Sequence, residues 1–283
     1  MHALYHGASC EDAEINRFLK DDQHLRNSPI TCKIPYGLYN LPMQEEVIQK
    51  LQNLNLDFYN KFAKSFARSR ASSEPGLETI IKRIQPGAQV LDLGCGHGRI
   101  AQLLPPGVAY TGMDYSAEML AEAASRTSTK KIQTTFIIGD LTGNTWPEML
   151  TPASFQWVFM RAVLHHIPSY SMRRRIVIKA ADYLAPDGTL ILANWQFLNI
   201  KRLQKRLIPW SQLDLSDSDI EPGDYLLDWK RDGYGIRYVH LIDEDETRQL
   251  ARDAGLKVSE LYYADGRTNN LTLYACLVPK QDE

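Results

Sequence analysis

At 283 residues, 44% of them hydrophobic and 23% charged, the chain is long enough to bury the core of one large α/β domain or two small ones. Thirty-two Lys and Arg stand against 34 Asp and Glu, and a formal net charge of -2 excludes a global positive field that would draw the chain onto nucleic acid, so any RNA contact has to come from a local patch. Four scattered cysteines lack metal-ligand spacing, no charged-then-apolar leader opens the chain, and no apolar run nears the roughly 20 residues that cross a bilayer; a reduced cytoplasm is the expected location, with no membrane contact.

Residues 1–42 mix His, Asn, Pro and charge with little periodicity and read as an irregular extension ahead of a single domain spanning 43–283. Between Glu45 and Phe66, the residues Val47, Ile48, Leu51, Leu54, Phe58, Phe62 and Phe66 recur at spacings of three and four, which predicts a helix with one buried face. From Ala88 onward short apolar runs alternate with helical patterns: QVLDLG then RIAQLL, YTGMD then AEMLAEA, TTFIIGD, QWVFMRAVLHHI then RRRIVIKAADYL, and TLILANW. That alternation predicts an α/β fold, a mostly parallel sheet with helices on both faces and ligands at the carboxyl ends of its strands. Lys201 to Asp232 is charged and irregular and reads as an insertion, at about residues 200–237, packed over the sheet. EDETRQLARDAGL is a helix stopped by Gly255, and VSELYYA with LTLYACLV predicts a closing antiparallel hairpin.

After QVLDL come Gly94, Cys95, Gly96, His97 and Gly98, with a helix directly behind them. Glycines at alternate positions let the backbone turn sharply and let a ligand lie where a Cβ would collide. A dinucleotide site would instead carry G-x-G-x-x-G, whose last two glycines are separated by two residues. With Asp92 at the strand end the pattern is D-x-G-x-G-x-G, and it resembles the first motif of class I S-adenosylmethionine-dependent methyltransferases. The resemblance implies a Rossmann-like sheet of seven strands, and a loop, Asp92 to Gly98, that holds the methionine part of the cofactor. Asp114, ending YTGMD, is an acceptor-only carboxylate suited to both ribose hydroxyls. Asp140 and Leu141, after the next strand, are expected at the adenine. Tyr115 and Arg161 are grouped with these as cofactor contacts. Cys95 reads as a small packed residue, not a nucleophile. His165 and His166, taken as neighbours on a strand, point to opposite faces and lack companions for a metal, so no metal site is expected.

A narrower resemblance runs from about Phe58 to Pro279. It rests on Tyr59-Asn60, Ala63, Phe66 and Ser69-Arg70; on Val90 to Gly98; on Ala162 to His166, Arg173 and Arg174; and on Pro209-Trp210, Arg237 to Leu241 and Asp265 to Asn270. These residues are similar to those of the eukaryotic tRNA wobble-uridine methyltransferases, including the methyltransferase part of the AlkB-homologue fusion, which esterify 5-carboxymethyluridine in the anticodon. The resemblance implies an acceptor side formed by Arg70, His165, His166 and Arg237, with Arg173 or Arg174 on phosphate, and a small zinc-binding activator subunit as partner. This sequence departs from that family, which usually has Trp where Ser73 or a neighbour stands, a second Tyr at Val239 and Trp at Leu271. Chemistry agrees with an anionic acceptor: methyl transfer from a sulfonium is an in-line displacement, and an ionised carboxylate needs no general base, whereas a hydroxyl usually does. Lys201, Arg202, Lys205 and Arg206, spaced along one helical face beside Ile208 and Trp210, with Lys230 and Arg231 further on, form the candidate phosphate patch. The expected acceptor is tRNA, with a small molecule as the alternative on the same fold.

Overall fold

A computed structural model of the chain describes residues 43–68, 73–143 and 146–280, with the side chains of 63–68 excepted. The extension at 1–42 and Arg70 lie outside the described residues. In chain order the elements are α1 (Glu45–Arg68), α2 (Pro75–Ile81), β1 (Gln89–Leu93), α3 (Arg99–Leu103), β2 (Ala109–Asp114), α4 (Ala117–Thr127), β3 (Gln133–Ile138), β4 (Phe155–Arg161), α5 (Tyr170–Ala181), β5 (Leu184–Trp195), α6 (Lys201–Gln204), β6 (Leu207–Ile208), β7 (Asp224–Trp229), β8 (Gly235–His240), α7 (Glu244–Asp253), β9 (Leu256–Ala264) and β10 (Thr272–Pro279). The seven-stranded sheet runs β3-β2-β1-β4-β5-β10-β9. Its first five strands pair in parallel, and β10 enters antiparallel between β5 and β9. The expected fold class, with its antiparallel finish, is the one observed.

The connections follow from local chemistry. Ser116 caps α4 by accepting from Met119 N at 3.2 Å, and Asp243 caps α7 by accepting from Glu246 N at 2.8 Å. Leu77, Ile80 and Ile81 of α2, Ile100 and Ala101 of α3 and Leu120 of α4 bury one sheet face against Val90, Tyr110, Phe159, Ile191 and Tyr274. Residues between these on the strands, such as Leu190 and Leu192, face the other way; there α5 and α7 pack on each other and against β5, β9 and β10.

The segment expected to be irregular folds into a second, antiparallel sheet, β6-β7-β8. Its apolar residues are few and are flanked by charge, which hid the strand pattern. The helix α1 places its apolar stripe on this sheet: Val47 and Leu51 pack with Trp210, Leu226 and Tyr238, and Phe58 and Phe62 pack with Trp229. The basic stretch is not the helical face its spacing suggested. Helix α6 is a single turn that ends at Gln204, and Arg206 donates from Nε to Asp228 Oδ1 at 3.0 Å with its guanidinium over the Trp229 ring. Lys230 also pairs with Asp228, at 2.8 Å.

The assignment of Arg173 to phosphate is corrected. Arg173 has 0% exposure and lies in a buried ion network. Its Nε donates to Glu246 at 2.7 Å, Nη2 to Glu221 at 3.0 Å, and Nη1 to the Ile167 carbonyl at 3.0 Å. Beside it, His240 bridges Asp224, 2.6 Å from Nδ1, and Glu246, 2.7 Å from Nε2, and the Tyr238 hydroxyl donates to Asp224 at 2.6 Å. Arg174 pairs with Asp253 at 2.8 Å. Glu221, Asp224 and His240 bring three potential metal-ligand atoms within 4.8 Å of one another, yet each of these residues already holds an ionic or hydrogen-bonded partner in the network.

The network has a pH signature. Burial opposes a charge on His240, as does Arg173, but Glu246 and Asp224 outweigh both and hold the imidazole's pKa up to about 9. A folded value above the unfolded one, about 6.5, means that this contribution is fully present below pH 6.5 and lost as pH rises through 9. The melting temperature should fall across that window, and His240→Gln should flatten the fall. An unchanged slope in the variant would assign the titration to another group.

Candidate active site

Strand β1 ends against a loop whose three glycines, Gly94, Gly96 and Gly98, all have positive φ, at 76°, 52° and 73°. The amides of Gly94 and Cys95 donate to Met113 O at 2.8 and 3.0 Å, which ties the loop to the end of β2. Two of the glycines serve different ends. A Cβ on Gly94 would stand 2.5 Å from Val163 Cγ2, so this residue allows the loop to touch the turn after β4. A Cβ on Gly96 would meet nothing within 4 Å, so that side of the loop opens onto space that a ligand can fill.

Around the loop the acidic residues differ in what they face. Asp92 is buried and accepts from the Tyr110 hydroxyl at 2.7 Å; burial pushes its carboxyl up to about 7, against the pull of Tyr110 and Arg161. Asp114 is buried at the end of β2, its Oδ2 accepting from Gly96 N at 2.8 Å and its Oδ1 from Ser116 N at 3.0 Å. Each oxygen keeps a further lone-pair direction for an incoming hydroxyl. Tyr115 beside it is 47% exposed, and its hydroxyl's pKa is pushed up to about 12 by burial and by the neighbouring Asp114 and Tyr59. Asp140 is exposed and accepts from Thr142 N and Oγ1, both at 2.8 Å, while Leu141 is buried and its carbonyl accepts from Trp146 Nε1 at 3.3 Å. Burial raises the Cys95 thiol far above its ordinary range, as suits a packing residue. Arg161, at the end of β4, directs Nε and Nη2 onto the carboxylate of Glu74, a residue that sequence reasoning missed.

The double histidine does not lie on a strand. Strand β4 stops at Arg161, and Leu164 to His166 form a 3-10 turn that brings the two imidazoles to 4.2 Å between ring centres. Ala162 at φ 57° and Ser169 at φ 67° bracket this turn, and such left-handed non-glycine residues cluster at functional sites. The Trp195 amide approaches His165 Nδ1 at 3.5 Å, and His166 Nε2 hydrogen-bonds the Tyr59 hydroxyl at 2.7 Å. Arg237 is 3% exposed, with its guanidinium carbon 4.7 Å from the centre of the Trp195 ring and 5.4 Å from that of Phe58, and it hydrogen-bonds Tyr59. Burial lowers its pKa. Asn55 joins three elements: Nδ2 donates to the His166 and Tyr238 carbonyls, each at 3.2 Å, and Oδ1 accepts from Tyr238 N at 2.9 Å. The structure thus brings His165, His166 and Arg237 together through Tyr59 and Trp195. Tyr59 stands in the stretch Tyr59-Asn60 on which the resemblance rests, but nothing local in sequence marks Asn55 or Trp195. Val239 and Leu271, two of the departures from that family, meet in one apolar cluster with Phe197 and Leu227.

Residues 90–188 match the family model described as a methyltransferase domain. The chain carries a methyltransferase domain. The open face of Gly96 beside the Asp114 carboxylate leaves room there for a ligand that carries hydroxyl donors. A protein of Encephalitozoon cuniculi named as a methyltransferase is 28% identical over 189 residues, covering 66% of this chain and 77% of its own length. The tRNA (carboxymethyluridine(34)-5-O)-methyltransferase of Arabidopsis thaliana is 21% identical over 48% of this chain, which spans only 31% of that relative. A trans-aconitate 2-methyltransferase of Streptomyces avermitilis is 28% identical over 63% of this chain and 72% of its own length. Among solved structures, an S-adenosylmethionine-dependent methyltransferase of Clostridium acetobutylicum superposes with a TM-score of 0.58 at 14% identity, covering 79% of this chain and 99% of its own. A Haloferax volcanii methyltransferase in complex with the Trm112 activator gives 0.50 at 19% identity, covering 73% and 89%. At these identities the superpositions establish the fold.

Proposed function

We propose that the domain transfers the methyl group of S-adenosylmethionine to a carboxylate oxygen, and that the carboxylate belongs to a modified wobble uridine of tRNA. The observation that carries this reading is Arg237, a planar cation enclosed by Trp195 and Phe58 and bonded to Tyr59, next to the His165–His166 turn. A guanidinium held this way offers its fork to an anion, and its aromatic walls suit a flat ring attached to that anion. Of the relatives, carboxymethyluridine and trans-aconitate both carry carboxylates, which supports an anionic acceptor of either size. The acceptor oxygen attacks the methyl carbon in line, the sulfur–methyl bond breaks, and its electron pair stays on sulfur; with an ionised carboxylate no proton has to move.

On the donor side, Asp114 takes the ribose hydroxyls, the loop from Asp92 to Gly98 lies along the methionine part, Leu141 lies against the adenine with Asp140 at its edge, and Tyr115 closes the exposed side. The smaller acceptor is the second reading, favoured by the loss of Arg206 from the basic patch to Asp228. An activator subunit is a further expectation, supported by the fold shared with the Haloferax protein.

The test is to incubate the chain with labelled S-adenosylmethionine and either fractionated tRNA or a metabolite extract. Label in tRNA released by mild alkali would mark an ester on the wobble base, and label in the metabolite fraction alone would sink the tRNA acceptor. Arg237→Lys keeps the charge but not the planar fork; it should lower transfer by roughly ten- to hundredfold while leaving S-adenosylhomocysteine binding intact. Loss of both would show that Arg237 supports the fold and not the acceptor.

A further inference from the structure

Asn55 stands in the buried stripe of α1, between Leu51 and Phe58, and is itself 6% exposed. A polar side chain on such a face costs stability unless its hydrogen-bond partners are in place. Here they are. Asn55 Oδ1 accepts from Tyr238 N at 2.9 Å, and Nδ2 donates to Tyr238 O and to His166 O, each at 3.2 Å. Strand β8 lies at the end of the second sheet, so the outward amide and carbonyl of Tyr238 have no further strand to pair with among the described residues. The carboxamide takes the place that one residue of such a strand would fill. Its second Nδ2 hydrogen then reaches the 3-10 turn.

Tyr59 lies one helical turn beyond Asn55 on the same face of α1. Its hydroxyl is 2.7 Å from His166 Nε2, its ring meets the imidazole edge-on with centres 5.1 Å apart, and it hydrogen-bonds Arg237, the residue before Tyr238. Two successive turns of the helix therefore join the same two elements: Asn55 joins the backbones of the 3-10 turn and β8, and Tyr59 joins their side chains. Hydrogen bonds weaken steeply with misalignment, so the backbone link governs whether the side-chain link can form. Attachment of α1 does not require Asn55, because Val47 and Leu51 pack with Trp210 and Leu226, and Phe58 and Phe62 pack with Trp229. Leucine at this place would extend the apolar stripe but leave three backbone groups unmatched. Aspartate has nearly the same shape as asparagine, yet when ionised it cannot donate to two carbonyls.

We infer that Asn55 is a positioning residue for methyl transfer: by holding the His166 carbonyl and the Tyr238 backbone to one helix, it fixes the gap between the histidine turn and Arg237 that the Tyr59 hydroxyl spans. This role rests on the reading of His166 and Arg237 as the acceptor side, and it adds a residue that acts through them.

Nitrogen-15 spectra of the full chain labelled at histidine test the linkage without an acceptor, with His166→Gln identifying the His166 signals and Tyr59→Phe showing them without the phenol bond. In Asn55→Asp and Asn55→Ala these signals should move to their Tyr59→Phe positions, while S-adenosylhomocysteine affinity stays within about twofold of wild type. Transfer to whichever fraction the wild-type chain labels, tRNA or metabolite, should fall by roughly ten- to hundredfold in Asn55→Asp, and adding Tyr59→Phe should lower it little further, because both changes remove one arrangement. Unmoved His166 signals, additive losses, full transfer in Asn55→Asp, or S-adenosylhomocysteine affinity lost in step overturn the role. So does the absence of a cooperative melt in both variants, which would make Asn55 a residue of the fold alone. If the wild-type chain labels neither fraction, the acceptor reading falls, and the dependence of the His166 signals on Asn55 still decides the linkage.

Discussion

Arg173→Ala should cost about 3–5 kcal/mol of folding stability, the effect expected when one partner of a buried ion network is removed and the others stay charged. Glu221 and Glu246 would both remain, at 3% and 0% side-chain exposure, without the guanidinium that now lies between them. Urea unfolding measures it directly: the midpoint should drop with little change in slope, whereas a loss under about 1 kcal/mol would mean that water enters and solvates the carboxylates. Glu246 depends on the same arrangement. Burial disfavours its charge, but Arg173 and His240 hold its pKa down to about 2. A folded value below the unfolded one contributes stability above about pH 4.5 that is lost as pH falls toward 2. With the His240 window, this places the network's full contribution between about pH 4.5 and 6.5. The network also reaches the acceptor side, because Arg173 Nη1 holds the Ile167 carbonyl one residue past His166. A partly unfolded variant is therefore expected to lose acceptor binding before it loses its sheet.

Asp114→Ala should weaken S-adenosylhomocysteine binding by about a hundredfold or more, since the two charge-assisted hydrogen bonds proposed to ribose would vanish together. It would also release the amides of Gly96 and Ser116, which the carboxylate now fixes at 2.8 and 3.0 Å. Asp114→Asn separates the two effects. The amide retains one oxygen for the loop but offers N–H groups where acceptors are needed, so binding should fall less than in the alanine variant. Calorimetry beside thermal melting without ligand reads both quantities. Undiminished affinity in Asp114→Ala, with an intact melt, would remove Asp114 from the donor site.

How legible each half of the site was follows from how far apart its residues lie. The loop Gly94 to Gly98 and the strand-ending Asp114 are short-range features, each fixed by one strand and the turn after it, and their spacing alone separated them from a dinucleotide site. Tyr59, His166 and Arg237 come from α1, the 3-10 turn and β8, and only packing of α1 on the second sheet brings them together. A sequence records the charge of Arg173 and Arg206 but not their burial, so both looked like phosphate ligands while one fills the interior and the other is bonded to Asp228. Glu74 escaped for a similar reason: nothing in a chain read residue by residue says that a glutamate before a short helix will face Arg161, at the end of a strand that follows much later.

The division of the site between short-range and long-range contacts has a consequence for the order in which the molecule assembles. Strands β1, β2 and β3 pair as immediate neighbours, with only a short helix to close between each pair, so the loop and Asp114 come into place through early, low-contact-order steps. The acceptor side waits for a long-range closure, α1 reaching across the domain to β8. A nascent chain can thus hold its methyl donor before it can recognise anything to methylate, and donor bound at that stage would favour the remaining steps by mass action.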